Sequence, residues 1–159
     1  MKILSDKDVS VKTVGETAET SSIQCQLTFK EKQINVLVEG AVLEACVQWK
    51  DHYLVFLTDD IPNEDMLHIH LLDENLSLLD SASIGSPYAT GNFRSFEMKE
   101  PDEVNFRFIG EADWSVKLLQ KKKLHIPFVS DPKGVFRKLK FHSYFEISGD
   151  PRSESASPR

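Results

Sequence analysis

WKDHYLVFLTDDIPNEDMLHIHLLDENLSLLDSASIG, residues 49–85, is the stretch whose reading decides the fold. Residues 53–58 form an unbroken apolar run, the composition of a strand that must be covered on both faces. Asp59, Asp60, Pro62 and Asn63 break it, because proline has no amide proton for a ladder and short polar side chains satisfy their own backbone in turns. From Leu67 the pattern is strict alternation, with Leu67, Ile69 and Leu71 facing one way and His68 and His70 the other. Asp73, Glu74 and Asn75 make the next turn, and residues 76–84 read as a returning strand. The stretch therefore predicts an antiparallel hairpin following a central strand.

The same signals recur outward in both directions. Ile23, Cys25, Leu27 and Phe29 alternate, Glu31 to Gln33 can turn, and Ile34, Val36 and Val38 alternate again, which predicts another hairpin. Residues 44–49 climb to the central strand through a tight connection at Lys50, Asp51 and His52. Beyond residue 85, GSPYATGN (85–92) is a long connection; it lacks the lysine and spacing of a phosphate-binding loop. Residues 93–98 and 104–108 flank Glu100-Pro101-Asp102-Glu103, a type I turn signal. With Trp114, Val116 and Leu118 they predict a three-stranded meander over residues 92–120. A last amphipathic strand sets Leu139, Phe141, Phe145 and Ile147 on its core face.

No window shows a convincing period of 3.6, and turn signals recur every eight to twelve residues. The expected class is all-β, an antiparallel β-sandwich or open barrel built from consecutive hairpins, with loose termini. Residues 1–20 read as a flexible segment or an edge strand, 21–148 as a single β domain, and 149–159 as a disordered tail. Trp49, Trp114 and most of the ten phenylalanines supply core bulk.

Composition narrows the function classes. The 19 Lys and Arg against 25 Asp and Glu give a net charge of −6, unevenly spread. Residues 1–116 carry 9 basic and 21 acidic side chains, whereas residues 117–159 carry 10 and 4. An acidic body argues against general nucleic-acid binding, which needs a positive footprint. The basic, aromatic-bearing C-terminal third resembles single-strand nucleic-acid surfaces in composition alone. No window approaches the roughly 20 apolar residues that span a bilayer, so no membrane partner and a cytoplasmic location are expected. Cys25 and Cys46 read as small core hydrophobes.

Three constellations carry chemical interest. His68 and His70 stand at i, i+2 on one strand face, the placement of two metal ligands. A third ligand is not supplied at a recognised spacing; Asp60, Glu64, His125 and His142 are the candidates for it. The expectation is therefore two polar residues on a solvent face, with no metal and no cofactor. Asp59, Asp60, Glu64 and Asp65 gather beside a proline turn, with Tyr88 in the following loop. They read as a partner-binding acidic surface able to steer a basic protein. No serine elbow, cysteine signature or Ser-x-x-Lys is present.

An interaction protein is thus expected rather than an enzyme, because binding needs a shaped, charged surface and catalysis needs placed groups. Size and charge suit an immunity-type protein that binds and blocks a cognate bacterial toxin or effector, which presupposes a bacterial source. The alternatives are a metal-dependent enzyme or small-ligand binder near His68 and His70, and an assembly subunit forming a homo-oligomer.

Overall fold

The computed structural model describes residues 1–17, 20–61, 64–86, 91–127, 129–138 and 140–149. Among these, every regular element longer than a turn is a strand, and the strands form three antiparallel sheets. The all-β antiparallel architecture is the expected one. Contacts group the chain into two compact units, Met1–Asp60 with Leu67–Ser81, and Ile61–Met66 with Ala82–Arg159.

The first unit holds β1 (Lys2–Leu4), β2 (Val9–Thr17), β3 (Thr20–Phe29), β4 (Ile34–Glu39), β5 (Val42–Trp49), β6 (His52–Thr58), β7 (Leu67–Leu72) and the start of β8 (Leu78–Ile84). One sheet runs β2-β3-β4, and in the other β1, β5, β6, β7 and β8 are successive neighbours. The predicted hairpins form: Phe29 pairs with Ile34 across one turn, and Trp49 with His52 across another. β1 and β2 each lie at a sheet edge. The two sheets share one core. Val9, Cys25, Leu27, Phe29 and Val38 from β2 to β4 pack with Cys46, Tyr53, Val55, Leu57 and Leu72 from β5 to β7. The unit is a β-sandwich in miniature, with apolar side chains of both inner faces interleaved.

Gly40 shows how tight that sandwich is. It follows β4 with φ +127°, and a Cβ there would lie 2.5 Å from the Leu57 Cβ on β6. Only a residue without a side chain can bring the end of β4 so close to the facing sheet.

In the second unit Val135 and Phe136, the short β12 (Val135–Phe136), pair with Ile84 and Ser83 at the end of β8. The other sheet runs β13-β11-β10-β9, from β9 (Arg94–Lys99), β10 (Glu103–Arg107), β11 (Trp114–Leu124) and β13 (His142–Ser148). The predicted meander is β9 to β11. Its first turn carries a cis Glu100–Pro101 peptide where the sequence predicts a type I turn. Trp114, Phe106, Phe108 and Phe145 are its largest fully buried side chains.

Among the described residues, the phenylalanines at 29, 56, 106, 108 and 145 are buried. Phe141 departs from expectation: it precedes β13, gives its carbonyl to the His125 amide at 2.8 Å, and is 62% exposed. The alternation that places Phe145 and Ile147 inward does not extend back to it, because the strand begins only at His142. Leu139 lies outside the described residues, as does the tail from residue 150.

Candidate functional site

Alternation on β7 puts His68, His70 and Leu72 on one face, and their cross-strand partners Leu57, Val55 and Tyr53 belong to the shared core. The face expected to meet solvent is therefore the inner face of the sandwich. Both imidazoles are 4% exposed. Burial of a polar ring demands partners, and they come from elements remote in sequence. His70 Nδ1 lies 2.8 Å from the Ser81 hydroxyl on β8, and its Nε2 lies 2.9 Å from the Glu39 carbonyl at the end of β4. His68 Nε2 lies 2.8 Å from the Asp59 carboxylate, and its Nδ1 faces Glu39 Oε2 at 3.8 Å. The rings stack at 6.3 Å with 7° between their planes. A metal would have to displace this bonding, and among the described residues no group of three or more His, Cys, Asp or Glu is placed to hold one.

One member of the expected acidic surface takes part in these contacts. Asp59 has a side chain only 14% exposed and is committed to His68. Asp60 is exposed, with φ +58°. Both belong to the first unit, whereas exposed Glu64 and half-buried Asp65 belong to the second. Tyr88 lies outside the described residues.

A different acidic site forms at the hairpin tips of the first unit. The connections β3–β4, β5–β6 and β7–β8 all leave odd-numbered strands, and up-and-down pairing brings Glu31, Asp51 and Glu74 to one depression. Each tip is fixed locally. Gln33 and Lys50 take the left-handed conformation at φ 54°, and the Gln33 amide donates to the Phe29 carbonyl at 2.9 Å. Asp73 accepts the amides of Asn75 and Ser77, each at 2.9 Å. Lys32 Nζ then donates to the Glu74 carbonyl at 2.6 Å, tying the β3–β4 tip to the β7–β8 tip.

The depression holds about 410 Å³ and is lined by Glu31, Lys32, Gln48, Asp51, Tyr53 and Glu74. Tyr53 forms its floor, 6% exposed, with its ring edge-to-face on Phe29 at 4.9 Å. Burial and the negative charges of Glu31 and Asp51 hold the Tyr53 phenol above its ordinary range. Lys32 Nζ lies over the Tyr53 ring, 5.9 Å from its centroid, so the depression sets three carboxylates against one lysine that already covers the aromatic floor. The three acids are legible in sequence only as turn residues; the missing signal is that all three turns follow odd strands of one unit.

The second unit buries a charged cluster that the sequence does not announce. Asp131 accepts from His125 Nε2 at 2.6 Å and from Arg137 Nε at 3.1 Å. Arg137 also donates to the Phe145 carbonyl at 2.8 Å and lies 4.5 Å from the Phe145 ring centroid. The His125 and Arg137 side chains are 5% and 4% exposed. These partners lie 6 to 12 residues apart across an irregular loop, and they brace that loop against β13.

Neither a family model, nor a curated protein, nor a solved structure matches this chain.

Proposed function

We propose that this chain is a protein-interaction module that receives a basic segment of a partner protein in the acidic depression of its first unit. The observation that supports this reading is the convergence of Glu31, Asp51 and Glu74 from three hairpin tips over the Tyr53 ring. An arginine or lysine entering there exchanges water for carboxylates and gains charge-assisted hydrogen bonds. Residues Met1–Asp60 with Leu67–Ser81 carry 13 acidic and 6 basic side chains, so the field around the depression draws such a partner in.

Occlusion of a basic active site is the use we propose for that docking, in the manner of an immunity-type protein that blocks a cognate toxin or effector. Nuclease-like sites are basic because their substrates are anionic, and an acidic plug competes on the same terms.

The test is affinity capture from the source organism with the native chain and with a Glu31→Lys/Asp51→Lys/Glu74→Lys variant side by side. A stoichiometric basic partner, held by the native chain and lost from the variant at equal fold content by circular dichroism, supports the reading. Capture that survives the triple reversal sinks it, as does a captured partner that the chain leaves fully active.

A further inference from the structure

We propose that the 121–141 region of the second unit is a docking surface for an anionic phospholipid bilayer. Five large apolar side chains stand out of it: Leu124, Ile126, Val129, Phe136 and Phe141 are 66%, 52%, 73%, 55% and 62% exposed. Backbone bonds and pairings link the segments that carry four of them. Leu124 ends β11 opposite His142, the His125 amide bonds the Phe141 carbonyl, and the Val129 amide closes a turn on the Ile126 carbonyl at 3.2 Å. Phe136 lines a depression of about 410 Å³ together with His125 and Pro127. Apolar exposure on this scale marks a contact surface.

Charge identifies the occupant. Lys121, Lys122, Lys123, Lys133, Lys138 and Lys140 fall within the same 21 residues, where the one acidic residue is Asp131, bound to His125 and Arg137; Lys123 pairs with Glu146 on β13. The lining of the 410 Å³ depression carries both characters, Lys133, Lys138 and Arg137 together with Pro127 and Phe136. A bilayer interface offers the complementary pair of layers, anionic headgroups outside and acyl chains beneath. Single-stranded nucleic acid shares the charge but engages protein by stacking on flat rings, and three of the five apolar side chains are aliphatic. A folded protein partner would need a separate pocket for each protruding side chain, whereas a fluid interface needs none.

No membrane partner is expected from the sequence, and among the described residues no helix is long and apolar enough to cross a membrane. Peripheral docking requires no span. The buried His125–Asp131–Arg137 cluster suits it by holding the loop that presents the apolar side chains, so little ordering entropy is lost on contact.

The test is flotation of the full chain with phosphatidylcholine vesicles, with and without phosphatidylserine. Binding to the phosphatidylserine vesicles is expected. It should fall about fivefold for each half-inserted phenylalanine in Phe136→Ser and Phe141→Ser. It should also fall about fivefold for each charge removed in Lys121→Gln and Lys122→Gln. These positions are exposed, so the variants keep their fold, checked by the Trp114 emission. The Glu31→Lys/Asp51→Lys/Glu74→Lys variant should still bind vesicles, which separates this surface from the acidic depression. Absence of vesicle binding overturns the proposal. So does vesicle binding indifferent to Phe136→Ser and Phe141→Ser, or binding to a single-stranded oligonucleotide in place of vesicles.

Discussion

Replacing Asp131 by asparagine removes one negative charge from a place where the Arg137 guanidinium and the His125 imidazole converge and water scarcely reaches. The carboxylate accepts at 2.6 Å from His125 and at 3.1 Å from Arg137, whose side chain is 4% exposed. Charge-assisted hydrogen bonds contribute about 1.5–3 kcal/mol each, so the two together contribute about 3–6 kcal/mol, of which the neutral amide keeps only a part. Removing one partner of a buried ion pair costs about 3–5 kcal/mol, the same range reached from the other side. Arg137 keeps the Phe145 carbonyl at 2.8 Å, which places the expected loss toward the lower end. Urea unfolding followed by Trp114 fluorescence in a Trp49→Phe background reports the second unit, because Trp114 is its only tryptophan and is fully buried. With a slope of about 2 kcal/mol per molar urea, the midpoint should fall by about 1.5–2.5 M. The comparison is Lys123→Ala, which breaks an equally short pair, 2.7 Å to Glu146, between side chains 64% and 42% exposed. That change should cost less than about 1 kcal/mol. If Asp131→Asn shifts the midpoint no more than Lys123→Ala does, burial is not what gives the cluster its strength and the reasoning fails.

Other expectations concern the first unit. His70→Ala deletes the link between Ser81 and the Glu39 carbonyl and leaves a cavity on the inner face, so chemical denaturation should show a loss of about 2–4 kcal/mol; a neutral result would mean that the two bonds are not formed in solution. Gly40→Ala combines φ +127° with a Cβ 2.5 Å from Leu57, while Gly15→Ala, at φ +97°, meets nothing within 4 Å. Thermal melts should show about 2–4 kcal/mol lost at Gly40, where strain and overpacking add, and about 1–2 at Gly15, where only backbone strain acts. Burial pushes the Cys46 thiol up to about 12 and the Cys25 thiol up to about 11, from 9.0. Native protein should therefore resist thiol reagents until unfolded. Because the folded chain keeps these thiols neutral where the unfolded chain ionises them, their contribution is intact below pH 9 and declines between pH 9 and 12; constant stability across that window would contradict it.

Strand placement was legible wherever alternation and a turn residue agreed, as at Phe29–Ile34 and Trp49–His52, because local pairing needs no knowledge of distant chain. The environment of His68 and His70 was not legible. Alternation says that two imidazoles share a face; whether that face is wet depends on β4, which returns from some thirty residues earlier to place Glu39 over them. Asp59 is at once a strand-ending residue and the partner of a buried ring, and only the first role shows in the sequence. Phe141 erred in the opposite direction, since the apolar period continues past the point where the strand begins. The acidic depression needed the topology itself: Glu31, Asp51 and Glu74 lie 20 and 23 residues apart and meet only because three hairpins point the same way.

Residues 61–66 belong with Ala82–Arg159, while Leu67–Ser81 returns to the first unit, so the chain passes between units three times. Met66 sits beside Gly85, within 3.1 Å of where a Cβ would stand, and β8 begins in one unit and ends in the other. No single cut of the gene yields both halves whole. A piece ending at Ser81 carries six residues that belong elsewhere, and the piece beginning at Ala82 lacks them. Unlike modules strung on linkers, these two units cannot be separated by a single cut.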